Sequence, residues 1–187
     1  MFDCESDNAA PKYMEALKIY SKINCIPITA RFELTPLCNF KCPMCYVHRR
    51  KDEETLSKML DAGQWLDLAK QAKEMGVLNL ILTGGEIFTY SNFWELYSEL
   101  NKMGFLISLL SNGYLIDETV KANFIKFGTP HFMKLSLYGA SNETYEKMCG
   151  VKNGFDRFSN AIDILKELKI PFKVSSTIIK ENYDDIN

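Results

Sequence analysis

No stretch of this 187-residue chain approaches the roughly 18 to 20 consecutive apolar residues of a bilayer-spanning helix, so no membrane partner is expected. Its first residues, MFDCESDNAAP, have neither the basic nor the apolar region of a secretory signal. An excess of charge of one sign is also missing. The 22 Lys and Arg stand against 24 Asp and Glu, and a formal net charge of -2 carries no polyanion-binding signature, so nucleic acid is not an expected partner. There is no Pro/Gly/Ser-rich linker, and no Ser-His-Asp set, paired-carboxylate motif or phosphate loop is evident. What is present is ordinary for a globular protein, 47% hydrophobic and 25% charged residues, at a length that suits one domain or a domain with a short appendage.

The chain reads as cytoplasmic, where thiols stay reduced. Six cysteines are then better taken as metal ligands, catalytic groups or buried apolar residues than as a disulfide framework. Three of them are bunched at Cys38, Cys42 and Cys45.

Short apolar runs at 26–35, 77–83, 105–111, 131–138 and 171–179 lie between turn signals and read as strands, their near-continuous apolarity suiting a parallel sheet buried on both faces. Between them Trp65, Leu68, Ala69, Ala72 and Met75 share one helical face, as do Phe93, Leu96, Tyr97, Leu100 and Met103, and Phe155, Phe158, Ile162, Leu165 and Leu168; residues 117–127 repeat the pattern more weakly. Gly76, Gly104 and Gly128 fall where left-handed caps would end helices, and Asn92 with Glu95 resembles a capping box. Strand, helix, glycine, strand therefore recurs at the spacing of a βα unit, in an open sheet or a barrel. Residues 1–25 form a lead-in containing a short helix around Met14, Leu17 and Lys18, and 26–187 the core.

Parallel βα folds bind ligands at the carboxyl ends of their strands. Those ends carry Thr35 to Tyr46 with the three cysteines, Thr83-Gly84-Gly85-Glu86, Ser111-Asn112-Gly113 and Ser136-Leu137-Tyr138-Gly139. The spacing of four and then three residues lets one tight loop aim three thiolates at one centre. Three protein ligands leave a position open, whether on zinc or on one iron of a four-iron cluster; with His48 the same cysteines would instead make a closed Cys3His zinc site. Two glycines at a strand end permit close backbone approach, and Glu86 beside them suits an ammonium group, which zinc does not explain.

Cys38-x3-Cys42-x2-Cys45, GGE, SNG and SLYG at successive strand ends resemble the radical S-adenosylmethionine (radical SAM) superfamily over roughly residues 26–185. The run Ser136 to Ser141, with Glu143 to Glu146 and Gly150 to Phe155, resembles its subgroup with a C-terminal SPASM extension, many of whose members mature peptides or proteins. The resemblance implies a partial TIM-like (β/α)6 barrel, here about five βα units and truncated short of the sixth. It implies that Cys38, Cys42 and Cys45 hold a [4Fe-4S] cluster, that Glu86 accepts from the methionyl ammonium of S-adenosyl-L-methionine against Gly84 and Gly85, that Ser136 and Asn112 make polar contacts to that cofactor, and that Met44 lies near its adenine. The implied chemistry is reductive cleavage to a 5'-deoxyadenosyl radical that abstracts hydrogen, with a flavodoxin- or ferredoxin-type reductant and a peptide or protein substrate. A core of small-molecule cofactor biosynthesis and a non-catalytic zinc-stabilised βα module are the alternatives.

Among the remaining candidates, Cys149 is expected in a loop as a buried thiol, and Cys4 and Cys25 have no neighbour at ligand spacing. Arg157 is the arginine nearest the place where some relatives contact the cofactor carboxylate. His131 reads as structural, Arg49-Arg50-Lys51 with the following acids as a solvated loop, and Trp94 with Tyr97 as barrel-wall packing.

Overall fold

The computed structural model describes residues 9–45, 47 and 56–185, with side chains from residue 15 onward. A lead-in helix, α1 (Ala9–Asn24), precedes a regular alternation: β1 (Thr29–Glu33), α2 (Ala62–Glu74), β2 (Asn79–Thr83), α3 (Phe93–Lys102), β3 (Leu106–Ser111), α4 (Glu118–Phe127), β4 (Phe132–Leu137), α5 (Asn142–Cys149), α6 (Gly154–Glu167) and β5 (Phe172–Ser176). The lead-in helix, 16 residues, is longer than the short helix expected around Met14. The strands form one all-parallel sheet in the order β1-β2-β3-β4-β5.

That order settles what periodicity left open. Right-handed crossovers that always step the same way put every helix on one face, so the sheet curls as a barrel wall instead of being covered on both sides. The expectation of strands buried on both faces is corrected accordingly. Leu80 and Leu82 of β2, Ile107 and Leu109 of β3, and Met133 and Leu135 of β4 alternate toward the helices and are essentially fully buried. The residues between them, among them Ser108, Lys134, Ser136 and Ser175, face the other way and keep contact with solvent. The helices return Ala69 and Ala72, Phe93, Leu96, Tyr97 and Leu100, Val120 and Phe124, and Phe158, Ala161, Ile164 and Leu165 to the same core. Trp94 and Tyr97 belong to an aromatic cluster with Phe93, Phe124 and Phe127, as barrel-wall packing requires.

Helix starts differ in part from expectation. Asn92 makes no cap hydrogen bond; its amide bonds the Glu95 carboxylate at 3.1 Å instead, so that pair is not a capping box. The reciprocal box sits at Asp61 and Gln64, which start α2. Helix α5 was not anticipated, and it moves Cys149 from a loop to a helical C-terminus. Ser141 caps it by accepting from Thr144 N–H at 3.2 Å, and Gly150 ends it in the left-handed conformation. Its eight residues are too few for a periodicity to stand out, although Tyr145, Met148 and Cys149 are spaced as one buried face. After β5 the chain makes a 3-10 turn, Tyr183–Asp185, whose Asp185 carboxylate accepts from Ala140 N–H at 2.5 Å and ties it back to the turn after β4.

Candidate functional site

The loop after β1 and the end of β2 are knitted together by backbone. Gly85 N–H donates to Thr35 O at 2.6 Å, Glu86 N–H to Leu37 O at 2.8 Å, and Thr89 Oγ1 also reaches Leu37 O at 3.1 Å. A Cβ on Gly84 would stand 2.5 Å from Thr35 O, and one on Gly85 2.2 Å from Leu37 O. The close approach that two glycines permit is therefore made, on this side, by the chain itself, Gly84 against Thr35 and Gly85 against Leu37, the residue just before Cys38.

Beyond this seam lies a cavity of about 280 Å³, near the lower end of the roughly 300–1,000 Å³ of ligand sites. Cys38, Cys42, Met44, Cys45, Gly84, Gly85, Asn112 and Ser136 all line it, so eight of the nine expected site residues share one wall at the carboxyl rim. Glu86 is the exception. Its side chain is 1% exposed and lies behind that wall, where it accepts from Ser111 Oγ at 2.9 Å, from Asn112 N–H at 2.8 Å and from Phe88 N–H at 3.3 Å. The expectation placed the carboxylate beside the cysteine loop without its burial, because a strand-end Glu followed by apolar Ile87 and Phe88 can turn either way.

Burial pushes the Glu86 carboxyl up to about 7 even though those hydrogen bonds oppose the shift, the Asn112 N–H most strongly. Its folded value lies above its unfolded value of 4.5, so its contribution to folding is complete below about pH 4.5 and lost as pH rises through about 7. The difference corresponds to about 3 kcal/mol. Urea titrations of the metal-free chain should find the stability of the natural protein relative to Glu86→Gln falling by that order between pH 5 and pH 8; a constant difference would refute the buried carboxylate.

The three thiols each have a local partner. Cys38 Sγ accepts from Phe40 N–H at 3.4 Å, Cys45 Sγ donates to Val47 O at 3.3 Å, and Cys42 meets the thiol of the buried Cys149. Burial raises the Cys38 thiol to about 11, opposed by the Phe40 N–H; the hydrogen bond to Cys42, together with burial, raises Cys149. Thiols placed so ionise against a strong positive charge, which soft-metal binding supplies. A single tetrahedral zinc needs its sulfurs about 3.8 Å apart, whereas a four-iron cluster takes one thiolate per iron and spreads them more widely. Cys38, Cys42 and Cys45 line one cavity and supply the three soft thiolates that such a cluster takes, so they fit it as a donor set. His48, the fourth ligand of the zinc alternative, lies outside the described residues, as do Cys4 and Arg49 to Lys51.

Cys25 is exposed after α1, and His131 precedes β4 at the opposite rim. The Arg157 guanidinium lies over the Tyr114 ring, 5.8 Å from its centroid, away from the cavity. Sequence reading missed Lys134, Ser175 and Thr177 as cavity wall, and it placed Tyr138, Asn39 and Ser111 at the strand ends without giving them a part in the site. Alternation along β4 and β5, inward from Ser136, was the signal that could have found the first group.

The family profile described as the radical SAM superfamily matches residues 32–187. The sporulation killing factor maturation protein SkfB of Bacillus subtilis is 30% identical over 163 residues, 87% of this chain and 38% of that protein. A probable GTP 3',8-cyclase of Saccharolobus islandicus is 30% identical over 161 residues, 83% of this chain and 49% of that protein. A PqqA peptide cyclase of Granulibacter bethesdensis is 25% identical over 160 residues, 86% of this chain and 42% of that protein. The chain thus spans less than half the length of these relatives. The crystal structure of Streptococcus suis SuiB bound to precursor peptide SuiA superposes with a TM-score of 0.71 over 97% of this chain and 41% of that one, at 21% identity, a likeness of fold. No helix among the described residues is long and apolar enough to cross a membrane.

Proposed function

The chain belongs to the radical SAM superfamily, and on that premise we propose that it is the core of an enzyme that cleaves S-adenosyl-L-methionine at a [4Fe-4S] cluster in order to modify a peptide or protein. One observation carries the reading: three thiols, two closely packed glycines, Asn112 and Ser136, from four strand ends, line a single cavity. When bound, the cluster and cofactor supply a one-electron cleavage to a carbon radical; the protein holds, orients and excludes water.

Cys38, Cys42 and Cys45 would hold three irons and leave the fourth to the cofactor. Gly84 and Gly85 offer backbone on the cavity side of their seam, Ser136 a hydroxyl, and Met44 a polarizable side chain for an adenine face. Glu86 would act from behind the wall, its carboxylate form favoured by a nearby cationic group such as the methionyl ammonium. A flavodoxin- or ferredoxin-type protein would deliver the electron. The peptide assignment draws on SkfB, named as a maturation protein, and on PqqA peptide cyclase. A small-molecule substrate is the second reading, favoured by the 30% identity with a probable GTP 3',8-cyclase.

Anaerobic reconstitution with iron and sulfide should give a brown protein that, once reduced, converts S-adenosyl-L-methionine to 5'-deoxyadenosine. A colourless protein retaining one zinc would refute the proposal. Glu86→Gln should keep its iron and slow cofactor cleavage by tenfold or more; cleavage at the natural rate would remove Glu86 from the cofactor site.

A further inference from the structure

The side chain of Asn112 is held in one orientation. Its Oδ1 accepts from Tyr114 N–H at 3.0 Å, and its backbone N–H donates to the buried Glu86 at 2.8 Å. Reversing the amide would leave the Tyr114 N–H facing another donor, so Nδ2 is the atom turned toward the cysteine loop. There it donates to Asn39 Oδ1 at 2.8 Å and to Cys38 Sγ at 3.8 Å, one hydrogen for each acceptor. The residue is 6% exposed, so little water competes for those hydrogens. Cys38 Sγ has a second donor in the Phe40 N–H.

We propose that Asn112 is a positioning residue whose amide donates to the Cys38 thiolate and raises the reduction potential of the cluster that Cys38 holds. This rests on the cluster reading given above. An N–H aimed at a ligand sulfur stabilises the state with more negative charge, and the cluster gains that charge when it accepts one electron from an external reductant. The donor is strengthened by its setting, since the same residue is fixed at its backbone by Glu86 and at its oxygen by Tyr114.

Redox titration of the reconstituted chain, followed by electron paramagnetic resonance with viologen mediators, tests this directly. Asn112→Ala removes the donor. Asn112→Asp keeps the oxygen that accepts from Tyr114 but turns a carboxylate oxygen on the sulfur. With equal iron per chain, the midpoints should fall in the order natural protein, Asn112→Ala, Asn112→Asp. Loaded variants titrating with the natural protein would overturn the inference alone, whereas a natural chain that takes up no iron would overturn the cluster reading beneath it. Should either variant fail to load, electron spin echo modulation of the reduced Asn39→Ser chain labelled with 15N-asparagine decides. A 15N coupling, then arising from Asn112, is expected, and its absence would overturn the assignment.

Discussion

A Cys42→Ala chain is expected to leave anaerobic reconstitution colourless, its iron content at background, while Cys149→Ala under the same conditions holds as much iron as the natural protein. The two thiols are neighbours in the fold, yet their settings differ. Cys42 lies on the loop that also carries Cys38 and Cys45, and all three line the cavity. Cys149 ends α5, is fully buried, and faces the cavity wall from behind through its contact with Cys42. Its helix is fixed there, since Lys41 N–H donates to Cys149 O at 2.7 Å and Phe40 packs edge-on against Tyr145. Two thiolates cannot hold a four-iron cluster stably against water and oxygen, so losing Cys42 removes the site. Losing Cys149 removes one weak hydrogen bond and some packing. Iron per chain and the visible absorbance decide, and a Cys42→Ala protein that stays brown would mean that Cys149 can serve as a ligand.

Gly85→Ala should be nearly as damaging without touching any ligand. The added carbon would lie 2.2 Å from Leu37 O, 2.6 Å from Leu37 C and 2.8 Å from Pro36 O, all backbone atoms that no side-chain rotation can move. Relief requires the loop to leave β2, which breaks the Gly85 N–H bond to Thr35 O and the Glu86 N–H bond to Leu37 O. Overpacking of this kind costs about 3 kcal/mol at the upper end of its usual range. Because Leu37 precedes Cys38, cluster retention should fall with stability. Gly63→Ala is the control: it lies in the first turn of α2, its new carbon would meet only the Asp61 side chain at 3.2 Å, and its effect should stay within about 1 kcal/mol. A Gly85→Ala protein as stable and as iron-rich as the Gly63→Ala one would show that the seam is not needed.

Among the described residues, the five strands and four of the six helices were legible because each is long enough for its apolar spacing to repeat, and because Gly76, Gly104 and Gly128 stop helices with a positive φ that other residues resist. The lead-in helix was expected only as a short helix around Met14, and α5 was missed, since eight residues give two turns and no repeat. The site residues were legible as a group for a different reason. In a parallel βα chain every strand ends at the same rim, so unusual residues at successive strand ends must meet. Their individual orientations were not legible, as Glu86 demonstrates.

By itself, then, the sequence determined the alternation of strand and helix, the rim on which the candidate site residues gather and the presence of three thiols among them, because periodicity, chain direction and side-chain chemistry are local properties. Only the tertiary structure decided that the sheet curls with its helices on one side, that the two glycines serve a backbone seam beside the cysteine loop, and that Glu86 and Asn112 form a buried frame behind Cys38. Those outcomes depend on which segments approach one another and which polar groups lose water when they do. That loss lifts the Glu86 carboxyl toward 7 and leaves the Asn112 amide to share its hydrogens between Asn39 Oδ1 and the Cys38 sulfur.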